Sequence, residues 1–253
     1  AFAPMLAALL AGLPTVLHEQ NAIAGMSNRI LGRLARRICL SLPGTEGFDA
    51  SRTVLTGNPV RAAVVALAGR QHDFSGKRLL VMGGSLGAHA LNVHVCRHLD
   101  ALRAAGIEVR HQTGVRDEAV TREAYAAAGY DPACVSAFID DMASAYAWAD
   151  LVLCRAGATT VAELCAAGLP SVLVPFPYAV HDHQTRNAQA LVAEGAALML
   201  PEARMESDGL MAQVTDLLQD TGRLRTMAAA ASGCARVRAA ELVAAELETV
   251  CAR

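Results

Sequence analysis

The sequence predicts an α/β protein with Rossmann-like, doubly wound parallel sheets, and three observations predict it. From about residue 77, short β-rich apolar runs alternate with helical stretches; two of those runs end at glycines that open a helix; and residues 1–60 show the same grammar in a shorter piece. Continuous apolar strands need cover on both faces, and right-handed crossovers then wind the sheet in two directions.

The elements follow in order. Residues 1–17 are apolar but interrupted by Pro4, Gly12 and Pro14, which argues against a membrane-spanning helix, and no basic stretch marks a secretory signal. A strand over 14–17 ends in His18-Glu19-Gln20-Asn21, a helix covers 27–36, and strands follow over 38–42 and 53–55. Three strands are few for a covered sheet, and the chain opens on Ala1, so the expectation is that it starts within a domain. Gly57-Asn58-Pro59 reads as a linker. Strands are then expected over 79–82, 107–110, 135–139, 151–154, 171–174 and 197–200. The helices between them are expected to include one carrying Leu86, Leu91 and Leu99, and others over 118–128, 161–167 and 188–194. An alanine-rich helical tail covers 224–250. The expected division is an acceptor-side piece over 1–60, a donor-binding domain over 61–223 and a helical tail over 224–253.

Composition narrows the function. Of 253 residues, 53% are hydrophobic and 18% charged, which excludes disorder; Lys plus Arg is 22 against 24 Asp plus Glu, so no global basic charge is present to hold nucleic acid. Seven cysteines without a CxxC pair read as buried thiols of a reducing compartment.

Ligands of open parallel sheets bind beyond the carboxyl ends of the strands, so the residues just after each strand carry the information. Gly83-Gly84-Ser85-Leu86-Gly87 fits a phosphate cradle, and as GxSxG it equally fits a nucleophile elbow; the local pattern leaves both open. In Gly157-Ala158-Thr159-Thr160-Val161-Ala162-Glu163, Glu163 fits a pair of ribose hydroxyls, while the plain alternative is a threonine N-cap with Glu163 closing a capping box. Two glycine-bearing strand ends on one crevice favour a nucleotide diphosphate. Asp140-Asp141 reads as an N-cap rather than a metal pair, with the Ile139 backbone free to read a base edge. His183, Gln184 and Asn187 suit sugar hydroxyls, with a polar loop as the plain alternative. His181 and His183 lack a third metal ligand at a recognisable spacing, and His94 and His98 lack a glutamate base, so neither metal nor cofactor is expected. The four polar side chains from His18 to Asn21 need polar partners if buried.

Taken together, H-E-Q-N-A-I-A-G, G-N-P-V-R, G-G-S-L-G-A, F-I-D-D-M, R-A-G-A-T-T-V-A-E and H-Q-T-R-N-A resemble the MurG family in order and spacing, from about residue 13 to 201. The resemblance implies a GT-B glycosyltransferase fold. It implies inverting transfer of N-acetylglucosamine from UDP-N-acetylglucosamine to the 4-hydroxyl of undecaprenyl-diphosphate-linked muramyl-pentapeptide, a step of peptidoglycan synthesis and so of cell-wall growth, shape and division. By motif, Ser85 contacts the diphosphate, the Ile139 backbone holds uracil, and Glu163 binds the ribose. Ala158, Thr159, Thr160, Val161 and Ala162 line the same pocket. Gln184 and His183 reach the sugar, Asn21 the acetamido group, and Arg61 borders the nucleotide. The family's glycine-rich loop with its histidine base has no counterpart here, so the base is expected upstream of Ala1; His18 is the weaker candidate for that base and better suits a site-shaping residue.

The resemblance also implies a peripheral enzyme on the cytoplasmic face of the inner membrane. Arg29, Arg33, Arg36 and Arg37 suit an anionic membrane surface, or form a solvated helix face. Two other classes stay open: a non-catalytic nucleotide-sugar-binding fragment, and a serine hydrolase built on Ser85.

Overall fold

A computed structural model describes residues 2–84 and 87–252. Three short strands, β1 (Val16–Glu19), β2 (Arg37–Leu40) and β3 (Thr53–Leu55), pair in parallel in sequence order. Six more form the larger sheet: β4 (Arg78–Met82), β5 (Glu108–Gln112), β6 (Val135–Ser136), β7 (Leu151–Cys154), β8 (Ser171–Leu173) and β9 (Ala197–Met199). Their spatial order is β6-β5-β4-β7-β8-β9, all parallel. The chain winds outward from β4 to β6, crosses back and winds the other way from β7. The order therefore reverses between β4 and β7, and a crevice opens beyond their carboxyl ends.

Strand alternation builds two cores. Leu79 and Val81 of β4 and Leu151 and Leu153 of β7 face one layer of helices, where Leu91, Leu102 and Val214 pack. Leu80, Met82, Val152 and Cys154 face the other, against Leu164, Ala188 and Leu191. Each such leucine, fully withdrawn from water, stabilises the fold by roughly 1.5–3 kcal/mol.

Several elements differ from the sequence expectation. One helix was expected after β4; two form, His89–Cys96 and Leu99–Ala104, because the His98 backbone leaves the helical region. Strand β6 stops at Ser136 rather than running to 139. Ala137 O still accepts from Gly114 N at 3.1 Å, where Gln112 Nε2 also donates at 2.8 Å, and Phe138 and Ile139 then leave the sheet. The helix expected from 188 starts at His183, and Leu210–Gln219 is a helix the sequence reading did not name. The tail is two helices, broken where Ala235 turns extended. Thr221–Cys234 buries Leu224 and Met227 against the large sheet, whereas Ala239–Cys251 returns to the small one, with Arg37 Nε 2.9 Å from Glu246 Oε2. The amino-terminal helix Phe2–Leu10 buries none of its side chains. Among the described residues, no helix is long and apolar enough to cross a membrane.

Candidate active site

The crevice at the reversal point holds a cavity of about 500 Å³. Gly83 and Gly84 reach it from β4, Gln112 from β5, Ile139 from the loop after β6, Arg155 and Gly157 from β7, and Phe176 from β8. A Cβ on Gly83 would lie 2.5 Å from Ala88 N, and one on Gly87 would lie 2.5 Å from Thr113 O. The loop therefore folds back on itself only with glycine at both positions. Ser85 and Leu86, the centre of the expected cradle, lie outside the described residues.

The helix Ala158–Ala167 opens onto this cavity. Its N-cap is Gly157, which offers no side chain, so the capping-box alternative for Glu163 does not form. The N–H groups of Ala158, Thr159 and Thr160 have no intrahelical acceptor and supply positive potential at the cavity mouth. Helical periodicity then sorts the expected residues. Thr160 and Glu163 line the large cavity, while the side chains of Ala158, Val161 and Ala162 line a separate, smaller one; Thr159 is exposed.

Glu163 is only 5% exposed, and both carboxylate oxygens are engaged. Oε1 accepts from Arg61 Nε at 3.1 Å and Nη2 at 2.8 Å, and Oε2 accepts from Tyr146 Oη at 2.9 Å. Burial, and then the Glu163 charge, push the Tyr146 phenol well above its usual range, so it stays a donor. Tyr146 was missed by sequence reasoning. The signal was an aromatic with a polar tip on the inward face of a helix, a residue that needs a buried acceptor. That helix, Met142–Trp148, is capped by Asp141 Oδ1, which accepts from Ser144 N at 3.0 Å. Ile139 lines the cavity, and among the described residues its main-chain N–H and C=O carry no hydrogen bond.

Gln184 lines the opposite wall, its Oε1 accepting from Phe176 N at 2.9 Å and Ala156 N at 3.2 Å, so the carboxamide ties two strand-end loops together. Arg155 holds the same loops, donating to Val174 O at 3.1 Å and Pro175 O at 3.2 Å and pairing with Glu202. His183 opens the helix His183–Ala193 and is not among the residues that line the cavity, while His181 and Asp182 before it sit at φ 54°. A left-handed backbone at two consecutive non-glycine residues marks local strain.

The polar run His18–Asn21 closes β1, but none of the four lines the large cavity, and their contacts are structural. Glu19, 2% exposed, accepts from Asn21 N at 2.9 Å, Gly25 N at 3.2 Å and Asn28 Nδ2 at 2.8 Å. Asn21 Oδ1 accepts from Asn187 Nδ2 at 3.1 Å, which joins the two sheets. His18 Nε2 lies 3.0 Å from Gly57 O and 3.1 Å from Ser41 Oγ, at the linker and outside the large cavity.

One cluster was invisible in the sequence. Glu206 joins His94 and His98, with ligand atoms within 4.8 Å of one another. His98 donates its Nδ1–H to His94 O at 2.8 Å, as a metal ligand would, but His94 Nε2 is buried without a partner. Ligation through the His94 Nδ1 that faces Glu206 would bury an unpaired N–H.

Comparison with known proteins settles the family. Residues 78–243 match the glycosyltransferase family 28 C-terminal domain, and residues 1–40 match the family 28 N-terminal domain. A protein of Nitratidesulfovibrio vulgaris (strain Hildenborough) named UDP-N-acetylglucosamine--N-acetylmuramyl-(pentapeptide) pyrophosphoryl-undecaprenol N-acetylglucosamine transferase is 53% identical, over 96% of this chain and 68% of its own length. The chain belongs to the MurG family of glycosyltransferase family 28. A second MurG-family relative, of the same name and from Lawsonia intracellularis, is 49% identical over 97% of this chain and 69% of its own length. The crystal structure of Acinetobacter baumannii MurG superposes with a TM-score of 0.78 at 38% identity, covering 97% of this chain and 70% of that one. The two parallel-sheet units are thus those of the GT-B glycosyltransferase fold.

Proposed function

We propose that the protein transfers N-acetylglucosamine from UDP-N-acetylglucosamine to the 4-hydroxyl of a lipid-linked muramyl-pentapeptide, with inversion at the anomeric carbon. One observation carries this reading: a buried carboxylate, Glu163, lines a cavity bounded by a double-glycine turn and an uncapped helix N-terminus at the sheet's reversal point. A nucleotide diphosphate needs those parts. The ribose hydroxyls donate to Glu163, the uracil edge pairs with the Ile139 backbone, and the diphosphate lies against the Gly83–Gly87 loop, Ser85 included, and the N–H groups of Ala158, Thr159 and Thr160. As UDP leaves, charge grows on the β-phosphate, and those preorganised donors stabilise it.

Arg61 borders the nucleotide and neutralises Glu163 before the donor arrives. Gln184, whose Oε1 is committed to the backbone, turns its amide nitrogen toward the sugar, with His183 beside it and Asn21 facing from the small sheet. Ala158, Val161 and Ala162 contribute their helix rather than their side chains. His18, engaged at Gly57, shapes the linker rather than taking the acceptor proton. In this reading residues 1–60 serve the acceptor side and 61–223 hold the donor, and 224–253 form a helical tail that ties the two together.

The same reading places the protein peripherally on the cytoplasmic face of an anionic membrane. Phe2, Leu6, Leu10, Met26, Ile30 and Leu34 are exposed on two adjacent helical segments, beside Arg29, Arg33 and Arg36. Arg37 stands apart, paired with Glu246. Calorimetric titration with UDP, and mass-spectrometric detection of the glycosylated lipid-linked acceptor, test the function. UDP binding is expected; failure to bind UDP overturns the assignment, and the transfer assay decides between a chain that supplies its own base and a nucleotide-sugar-binding fragment.

A further inference from the structure

A second cavity lies between the two sheet units, behind the helix that carries Glu163. Its volume is about 180 Å³, close to that of an engineered apolar cavity of about 150 Å³ that accepts benzene. Leu42, Pro43 and Val60 wall it from one side and Val161, Ala166 and Leu191 from the other.

Gln20, Ser41, Glu194 and Arg236 also line it, and two further polar groups bear on what it can hold. The Asn58 carboxamide, 5% exposed, makes no hydrogen bond to any described residue, and its Nδ2 is buried without a partner. An unpaired buried amide of this kind is destabilising, and a ligand's carbonyl or amide would relieve it. The other group is Cys234, which ends the helix Thr221–Cys234. The Cys165 thiol donates toward it and lowers its pKa, with Arg236 acting in the same direction against burial and the Glu194 charge. The thiolate is the nucleophilic form of cysteine.

We propose that this cavity is a second small-molecule site, distinct from the donor crevice, that takes a compact, mostly apolar molecule bearing one carbonyl or amide group, and that Cys234 is its point of covalent capture by soft electrophiles. In the capture step the Cys234 thiolate attacks the carbon that bears the leaving group. The S–C bond forms as the carbon–halogen bond breaks, halide departs with the electron pair, and the thiol proton has already gone to buffer.

Iodoacetanilide is the probe, because its ring matches the apolar walls and its amide faces Asn58; iodoacetamide, which lacks the ring, is the reference. Peptide mass spectrometry of the whole chain reads the rate at each cysteine. Cys234 should react at least about tenfold faster with the anilide than with iodoacetamide, relative to the exposed Cys251, and its rate should saturate with concentration. Asn58→Leu should abolish that preference while leaving the melting temperature equal or higher, since it removes an unpaired buried amide. UDP should give no protection. Equal rates at Cys234 and Cys251, an unchanged preference in Asn58→Leu, or protection by UDP would each overturn the proposal. The site does not depend on the donor reading, so failure of UDP to bind leaves the labelling comparison intact.

Discussion

Arg61 lays two guanidinium nitrogens on a single oxygen of Glu163, at 2.8 and 3.1 Å, while Tyr146 holds the other oxygen. The carboxylate is buried, yet Arg61 is more than half exposed, so the cation can swing away without leaving the carboxylate unsupported. In the proposed function, a ribose entering the cavity would exchange one set of donors for another. Glu163→Ala should therefore weaken UDP binding by about 1–3 kcal/mol, the cost of polar groups left unpaired, with calorimetry as the measurement. An unchanged dissociation constant would remove Glu163 from the nucleotide site.

Tyr146 supports Glu163 from behind and reaches the ligand only through it. Tyr146→Phe keeps the ring in its buried slot and deletes the Oη donor. The expected result is a several-fold rise in KM for the sugar nucleotide with kcat nearly constant, and a loss of about 1.5–3 kcal/mol in urea denaturation, the range for a hydrogen bond to a charged group. A purely structural Tyr146 would lower stability and leave KM alone.

The sequence shows the large sheet clearly because β7 and β8 are unbroken apolar runs between turn residues, a pattern with no competing period. Strand β6 is overestimated because its β-rich run continues past Ser136 into Phe138 and Ile139, which leave the sheet to line the cavity. Helix starts at Ala158 and His183 come earlier than expected since neither has a side-chain cap to announce it. Within the site, the glycine turns and Glu163 carry local signatures. Tyr146 and the Glu206 contact to His94 do not, and Asn187, expected at sugar hydroxyls, is instead a buried brace, because their meaning lies in partners 17 to 166 residues away.

His111 makes stability depend on pH. Its ring is fully buried, donating toward Asn92 Oδ1 and accepting from Tyr125 Oη, each at 3.0 Å, and burial drives its pKa down to about 3. The unfolded value is about 6.5. Between those limits the unfolded chain takes up a proton that the folded one refuses, so stability is complete above about 6.5 and falls with acid by up to about 1.4 kcal/mol per pH unit. The half-buried ring of His72 and the buried ring of His94, also shifted down, act in the same direction. Urea denaturation should show roughly 2 kcal/mol less stability at pH 5 than at pH 7 from His111 alone, with a shallower dependence in His111→Gln.

The basic and apolar surface of the first two helical segments predicts lipid binding that follows charge. Replacing Arg29, Arg33 and Arg36 with glutamate should cut sedimentation with phosphatidylglycerol vesicles by at least about tenfold, since each basic residue near an anionic surface contributes about 1 kcal/mol. Sedimentation that ignores both lipid charge and salt would assign these arginines to solvent.

Asn187 is held from both sheet units at once. Fully buried, it accepts from Ala22 N at 2.9 Å on the small-sheet side, and it donates to Asn21 Oδ1 and, on the large-sheet side, to Ala156 O, both at 3.1 Å. Ala156 also leads into the helix that carries Glu163, so a single carboxamide sets the position of the small sheet against the donor cavity. Asn187→Ala leaves a buried N–H and a buried C=O without partners, at about 1–3 kcal/mol each. Asn187→Asp keeps the acceptor for Ala22 N and turns both donor contacts into repulsions. Both variants should melt earlier, and only their effect on transfer separates a brace from a bystander: kcat should fall further than UDP affinity, because the donor site survives while its alignment with the acceptor side does not. Equal losses in both would place Asn187 inside the donor site instead.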